Sequence, residues 1–250
     1  MGDPIRIDKH GAVAVLTMDR HERRNALGSA SVAALDAVLA GLAADPDCRA
    51  VVLTGAPPAF CAGSDLKELG RLDLPGMVAH EAETATVARR IGMLRLPVVA
   101  AVEGFALGGG MILALSCDVV VTARSARWDM PEVRNGWLPP WGLQALAARV
   151  GPVRARLLTW GVSDVDGAEA LRLGLADALA DDGAALTEAL RLAERLAALP
   201  PEAVAATKRY YEPAAIVDAE RQDAEAGRVF AANAATPEAQ ATLARFARKA

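Results

Sequence analysis

The sequence predicts an α/β core followed by a helical C-terminal portion, and three observations carry that prediction. Continuous apolar, β-branched runs at Ala50–Thr54, Val98–Val102 and Val119–Thr122 alternate with segments whose apolar residues recur at helical spacing. Those runs lack the in-and-out alternation of a half-solvated strand, so both faces are expected to be buried, as in a parallel sheet. Beyond about residue 140 the strand signals thin out and helix signals take over.

Taken in order, Ile5-Arg6-Ile7-Asp8 and Gly11–Asp19 read as the first strands. After the polar loop His21–Asn25, Ser29 or Ser31 is expected to cap a helix carrying Val32, Leu35, Leu39 and Leu42 on one face. Ala50–Thr54 ends at Gly55 before a loop containing Pro57-Pro58, and a helix is expected over Met77–Leu94. Pro97 precedes the strand Val98–Val102, and Met111–Ser116 reads as a helix before Val119–Thr122. Helices then follow over Pro152–Trp160, Ala168–Leu173, Leu186–Leu199, Pro201–Tyr211, Asp218–Asn233 and Pro237–Ala250. Three of these begin at proline, and Gly174 stands where a left-handed terminator belongs.

Hydrophobic residues make up 53% and charged residues 23% of the 250, a globular balance that excludes a disordered or fibrous chain. A net charge of −4 excludes a nucleic-acid binder that works by bulk positive charge. Lysine is scarce beside arginine, so Lys67 and Lys208 stand out. Three cysteines with no C-x-x-C spacing argue against a disulfide framework or zinc site and fit a reducing compartment. No apolar signal-peptide core appears near the N-terminus. The most apolar stretch, Leu96–Thr122, is interrupted by Glu103, Asp118 and Gly108-Gly109-Gly110, so no membrane span is expected. The location expected is cytoplasmic.

Two loops follow buried strands and are unusually rich in small residues: Ala59–Glu68 and Glu103–Gly110. Each leads into a helix start, so free N–H groups and the positive end of a helix dipole face one space. A dinucleotide fingerprint fails on the second loop. Its frame puts Ala106 where a glycine is needed, and the next strand ends without an acidic residue for a ribose.

Arg24-Asn25-Ala26-Leu27, AFCAGSDLKE at 59–68, EGFALGGG at 103–110, Ser116-Cys117-Asp118, and Pro131-Glu132 with Gly136 and Pro139 carry a resemblance. In that order they resemble the enoyl-CoA hydratase/isomerase (crotonase) superfamily over essentially the whole chain. The resemblance implies a crotonase-like spiral of ββα units over residues 1–195 and a C-terminal helical trimerisation or lid region over 196–250. It further implies an acyl-CoA thioester substrate, a homotrimer or hexamer, and no cofactor beyond the CoA of the substrate. The N–H groups of Ser64 and Gly109 would form an oxyanion hole, with Ala62, Ile112 and Trp137 among the substrate-binding residues. Arg24 and Lys67 are candidates for the CoA phosphates, while Asn25 and Asp65 are expected to be structural.

The chemistry can be argued without the family. Removing the α-proton of a thioester gives an enolate, which two fixed N–H donors stabilise in a low-dielectric pocket. Glu132 follows Pro131 among Trp128, Met130, Val133 and Trp137, and burial there would raise its pKa toward neutrality, suiting it to shuttle a proton. The family's hydratases place a second glutamate three positions beyond the second oxyanion residue, where this chain has Ile112. A single carboxylate beside an apolar wall favours shifting a double bond (Δ3–Δ2 enoyl-CoA isomerisation) over adding water. Asp129, His80 or Glu81 remain open as a second group. The alternatives are a hydratase, a lyase or decarboxylase relative, and a non-catalytic acyl-CoA-binding paralogue.

Other residues have plainer readings. His10, His21 and His80 lack partners for a metal, Cys61 lacks an activating histidine, and Cys117 and Asp118 are expected in the core and in a structural hydrogen bond. Tyr210 and Tyr211 are left open as a ligand or subunit surface. Ala231, Ala232, Ala234 and Ala235 are expected to bury surface between subunits.

Overall fold

A computed structural model describes residues 3–216 and 218–248. The chain opens with a hairpin, β1 (Ile5–His10) and β2 (Val13–Met18), turned at Gly11. A one-turn 3-10 helix at His21–Arg23 leads to α1 (Ser29–Ala44), then β3 (Ala50–Gly55), α2 (Leu66–Leu69) and α3 (Leu74–Met93). β4 (Val98–Val102), β5 (Phe105–Leu107), α4 (Gly109–Leu115), β6 (Val119–Ala123), β7 (Arg127–Asp129) and α5 (Glu132–Asn135) follow. The remainder is α6 (Leu143–Val150), α7 (Pro152–Thr159), α8 (Gly167–Leu173), β8 (Ala178–Ala180), α9 (Ala185–Ala197), α10 (Pro201–Ile216), α11 (Ala219–Ala234) and α12 (Pro237–Arg248).

The main sheet has six strands in the order β1-β2-β3-β4-β6-β8, parallel except for the opening hairpin. Every residue of β2 and β4 is buried, as continuous apolar runs require. β1 is an edge strand that buries Ile5 and turns Arg6, Asp8 and Lys9 to solvent, which blunts the edge. A second, two-stranded parallel sheet pairs β5 with β7. Its strands are three residues long, too short to show a pattern in the sequence.

Two helix starts depart from expectation. Gly28, not a serine, caps α1, and the N–H of Ser29 goes to the Glu68 carboxylate at 3.1 Å. A serine at the first helical position cannot cap itself, so a distant carboxylate takes the free amide. α3 also begins before Met77, at Leu74, because Asp73 accepts the Gly76 N–H and Pro75 fits the first turn.

Lys208 and Asp118 join at 2.7 Å, and Asp118 accepts the Val98 N–H, fixing the start of β4 to α10. A separate small core joins Leu69, Met77, Trp137, Phe230, Ala234, Ala239 and Leu243, so α11 and α12 fold back onto α2 and α3 of the same chain. Ala234 is consumed by that intrachain packing, whereas Ala232 and Ala235 are exposed. Among the described residues, no helix is long and apolar enough to cross a membrane.

Candidate active site

The site begins with the loop after β3. Cys61 donates its N–H to the Phe105 carbonyl at 3.0 Å and accepts from Leu107 N, while Leu27 brackets the loop from the other side through Gly63 O and Asp65 N. Asn25 donates to the carbonyls of Ala56 and Ala59. Asp65 caps α2 and meets Arg20 and Arg23 at 3.1 and 2.7 Å. Its carboxyl is held below the usual range by the two arginines and the amide of Glu68, against the opposing effect of burial. Both residues build the loop and leave the pocket to others.

Gly108 precedes α4 with φ of 52°, a conformation that L side chains avoid. A Cβ there would stand 2.3 Å from Glu132 Oε1, so glycine also makes room for the carboxyl. The backbone of Gly63 lies against the Gly109 amide: a Cβ on Gly63 would come within 3.1 Å of it. Among the described residues, the amides of Ser64 and Gly109 donate to no protein acceptor. Gly109 is the first residue of α4, where N–H groups have no partner within the helix.

Glu132 opens α5 directly after Pro131 and is buried. Its Oε2 has no hydrogen-bond partner. Burial is the main cause that pushes its carboxyl up to about 8, with the charges of Glu81 and Asp129 adding to the effect. Glu132 lines a narrow pocket of about 50 Å³ together with Ala62, Ser64, Gly109, Ile112 and Trp137. Arg24 and Lys67 stand outside that lining; the Arg24 guanidinium lies over the Phe105 ring at 6.0 Å.

Of the three open second groups, Glu81 enters the pocket. Its Oε2 accepts the Trp141 indole N–H at 2.7 Å. Burial raises this carboxyl, opposed by the neighbouring Ser64 side chain, the His80 ring and the indole. Asp129 instead pairs with Arg134, and His80 contacts the Leu27 carbonyl and Ser29 hydroxyl. Burial pushes the Cys61 thiol up to about 12, far from a reactive thiolate.

Trp141 is one of the lining residues that sequence reasoning passed over. The signal was there, a bulky aromatic between Pro140 and Gly142. Phe230 and Leu243, from α11 and α12, close the pocket from the far end of the sequence.

Comparison with known proteins bears on the family and the fold. Residues 8–250 match the family described as enoyl-CoA hydratase/isomerase. A short-chain-enoyl-CoA hydratase of Clostridium acetobutylicum is 34% identical, the match covering 81% of this chain and 78% of that protein. A probable enoyl-CoA hydratase of Mycobacterium tuberculosis is 40% identical over 82% of this chain and 80% of its own length. Among solved structures, an enoyl-CoA hydratase/isomerase from Mycobacterium paratuberculosis superposes with a TM-score of 0.88 at 26% identity, covering 98% of this chain and 99% of its own. OdaA of Pseudomonas aeruginosa gives 0.85 at 30% identity, covering 99% of this chain and 100% of its own.

Proposed function

We propose, from the premise that this chain belongs to the enoyl-CoA hydratase/isomerase family, that it shifts the double bond of a 3-enoyl-CoA thioester into the 2-position. The Glu132 carboxylate takes a proton from C2, and the freed electrons run to the thioester oxygen. The amides of Ser64 and Gly109 hold that oxygen, and such a donor is typically worth about 10²–10³ in rate. Glu132 then returns the proton to C4, so no atom is gained or lost.

The observation that supports this reading is the unpartnered Oε2 of Glu132. Glu81, by contrast, is engaged by an indole donor, and Ile112 presents hydrocarbon. One free carboxylate suits proton transfer between carbons; hydration needs two groups to hold and activate water. A second reading, hydration, rests on one specific observation: Glu81 brings a second carboxyl into the same pocket.

The test is to incubate the pure protein separately with 3-hexenoyl-CoA and crotonyl-CoA and identify the products by mass and retention time. A 2-enoyl product from the first, with crotonyl-CoA left unhydrated, is the expected result. Hydration of crotonyl-CoA at a comparable rate would overturn the isomerase reading in favour of the second.

A further inference from the structure

A second and much larger cavity, about 750 Å³, lies between α3, α4, α6 and α10. That size falls within the ordinary range for small-molecule sites. The reaction pocket, at about 50 Å³, is a small fraction of that. Among the described residues, Ile112 and Trp141 line both spaces and stand between them as a partition.

The partition is held shut. Trp141 is 3% exposed, its indole is tied to Glu81 at 2.7 Å, and its ring lies so close to α4 that a Cβ on Gly109 would come within 2.9 Å of Cζ2. Ile112 is pressed against Gly142, where a Cβ would come within 2.1 Å of its Cγ2. The glycine after Trp141 therefore makes room for the Ile112 side chain.

The chamber behind them is walled by small apolar side chains, including Ala85, Ala88, Leu115, Ala145, Ala203 and Val204. Its cationic residues are already neutralised: Arg89 by Asp223, Arg149 by Asp177 at 3.0 Å, and Lys208 by Asp118 at 2.7 Å. Among the described residues, no unpaired cation of the lining is left to draw a phosphate or carboxylate head group. The chemistry of the wall suits a neutral hydrocarbon chain.

We infer that Trp141, with Ile112, sets the acyl-chain length this protein accepts, confining its substrates to short acyl thioesters and closing off a chamber shaped for a long chain. This rests on the acyl-CoA reading above. Removing the indole joins the two spaces, and the distal methylenes of a long chain pass into the chamber, where burial of their apolar surface is favourable.

Saturated esters test this without turnover. Butyryl-CoA and decanoyl-CoA are titrated calorimetrically against the wild type, Trp141→Ala, Trp141→Phe and Ile112→Ala, each checked for folding by circular dichroism. The wild type is expected to bind butyryl-CoA at least tenfold more tightly than decanoyl-CoA. Trp141→Ala should invert that order, Ile112→Ala should move it in the same direction, and Trp141→Phe should keep it. Wild-type preference for decanoyl-CoA, or a folded Trp141→Ala or Ile112→Ala with an unchanged ratio, overturns the partition while leaving the acyl-CoA reading intact. If neither ester binds any of the four proteins, the acyl-CoA reading falls and the partition with it.

Discussion

The wall that α5 lends to the pocket and the wall that α3 lends to it each carry one buried glutamate, Glu132 and Glu81. Burial raises both carboxyls, so desolvation alone does not tell them apart. Partners do. Glu81 sits within a long helix and receives the Trp141 indole, while Glu132 stands at the first position of a four-residue helix with one oxygen unpartnered. Leaving a buried acceptor unsatisfied costs about 1–3 kcal/mol. The α3 wall avoids that cost and becomes fixed; the α5 wall bears it and keeps an oxygen available for chemistry.

The largest test of this asymmetry is Glu132→Gln. Glutamine is nearly isosteric and fits beside Gly108, so the fold and butyryl-CoA affinity should hold. Turnover of 3-hexenoyl-CoA should fall by about 10²–10⁴, the usual contribution of a general acid–base group. Stopped-flow or steady-state assay of a variant that keeps most of its turnover would show that another group moves the proton.

The next effect is in pH, and its sign separates the two reactions. With a carboxyl pushed up to about 8, Glu132 is mostly protonated at neutral pH in the free protein. An isomerase needs the ionised base, so kcat/KM should rise about tenfold per pH unit and level off above about 8. A hydratase that uses Glu132 to protonate C2 would instead lose activity above that point. Stability runs the other way from isomerase activity. The folded state favours the protonated carboxyl, so its stabilising contribution is complete below the ordinary carboxylate range and is lost as pH rises through about 8. A thermal-melting series over the same pH values checks it.

How much of this was legible in the sequence differs between the two walls. Glu132 follows a proline and lies among apolar neighbours, and Gly63, Gly108 and Gly109 form contiguous motifs, so the α5 wall could be read locally. Glu81 is one of two acidic residues in α3, with Glu83, and nothing in its own segment says which of them turns inward. Its role depends on Trp141, which is 60 positions away and follows a Pro-Pro pair that reads as loop. The same limit hid β5, β7 and β8: three-residue strands exist through their pairing partners, not through any periodicity of their own. α1, α8 and α9, with longer apolar patterns or a glycine stop, were visible because helical spacing and termination are local properties.

The smallest expected effect sharpens the comparison most. Glu81→Gln keeps the shape of the α3 side chain, and its amide oxygen can still accept the Trp141 N–H. On the isomerase reading Glu81 moves no proton, so turnover of 3-hexenoyl-CoA at its optimal pH should change by less than about tenfold, or 1.4 kcal/mol. The substitution does remove a charge that helps raise the Glu132 carboxyl. The acid limb of the kcat/KM profile should therefore move to lower pH. It should stay above the ordinary carboxylate range, because burial, the larger cause, is untouched. A merely structural Glu81 would leave that limb where it was, so the profile distinguishes electrostatic coupling from packing. A loss as deep as that of Glu132→Gln would mean that both walls take part in the chemistry, and water addition by two carboxyls would then be the better account.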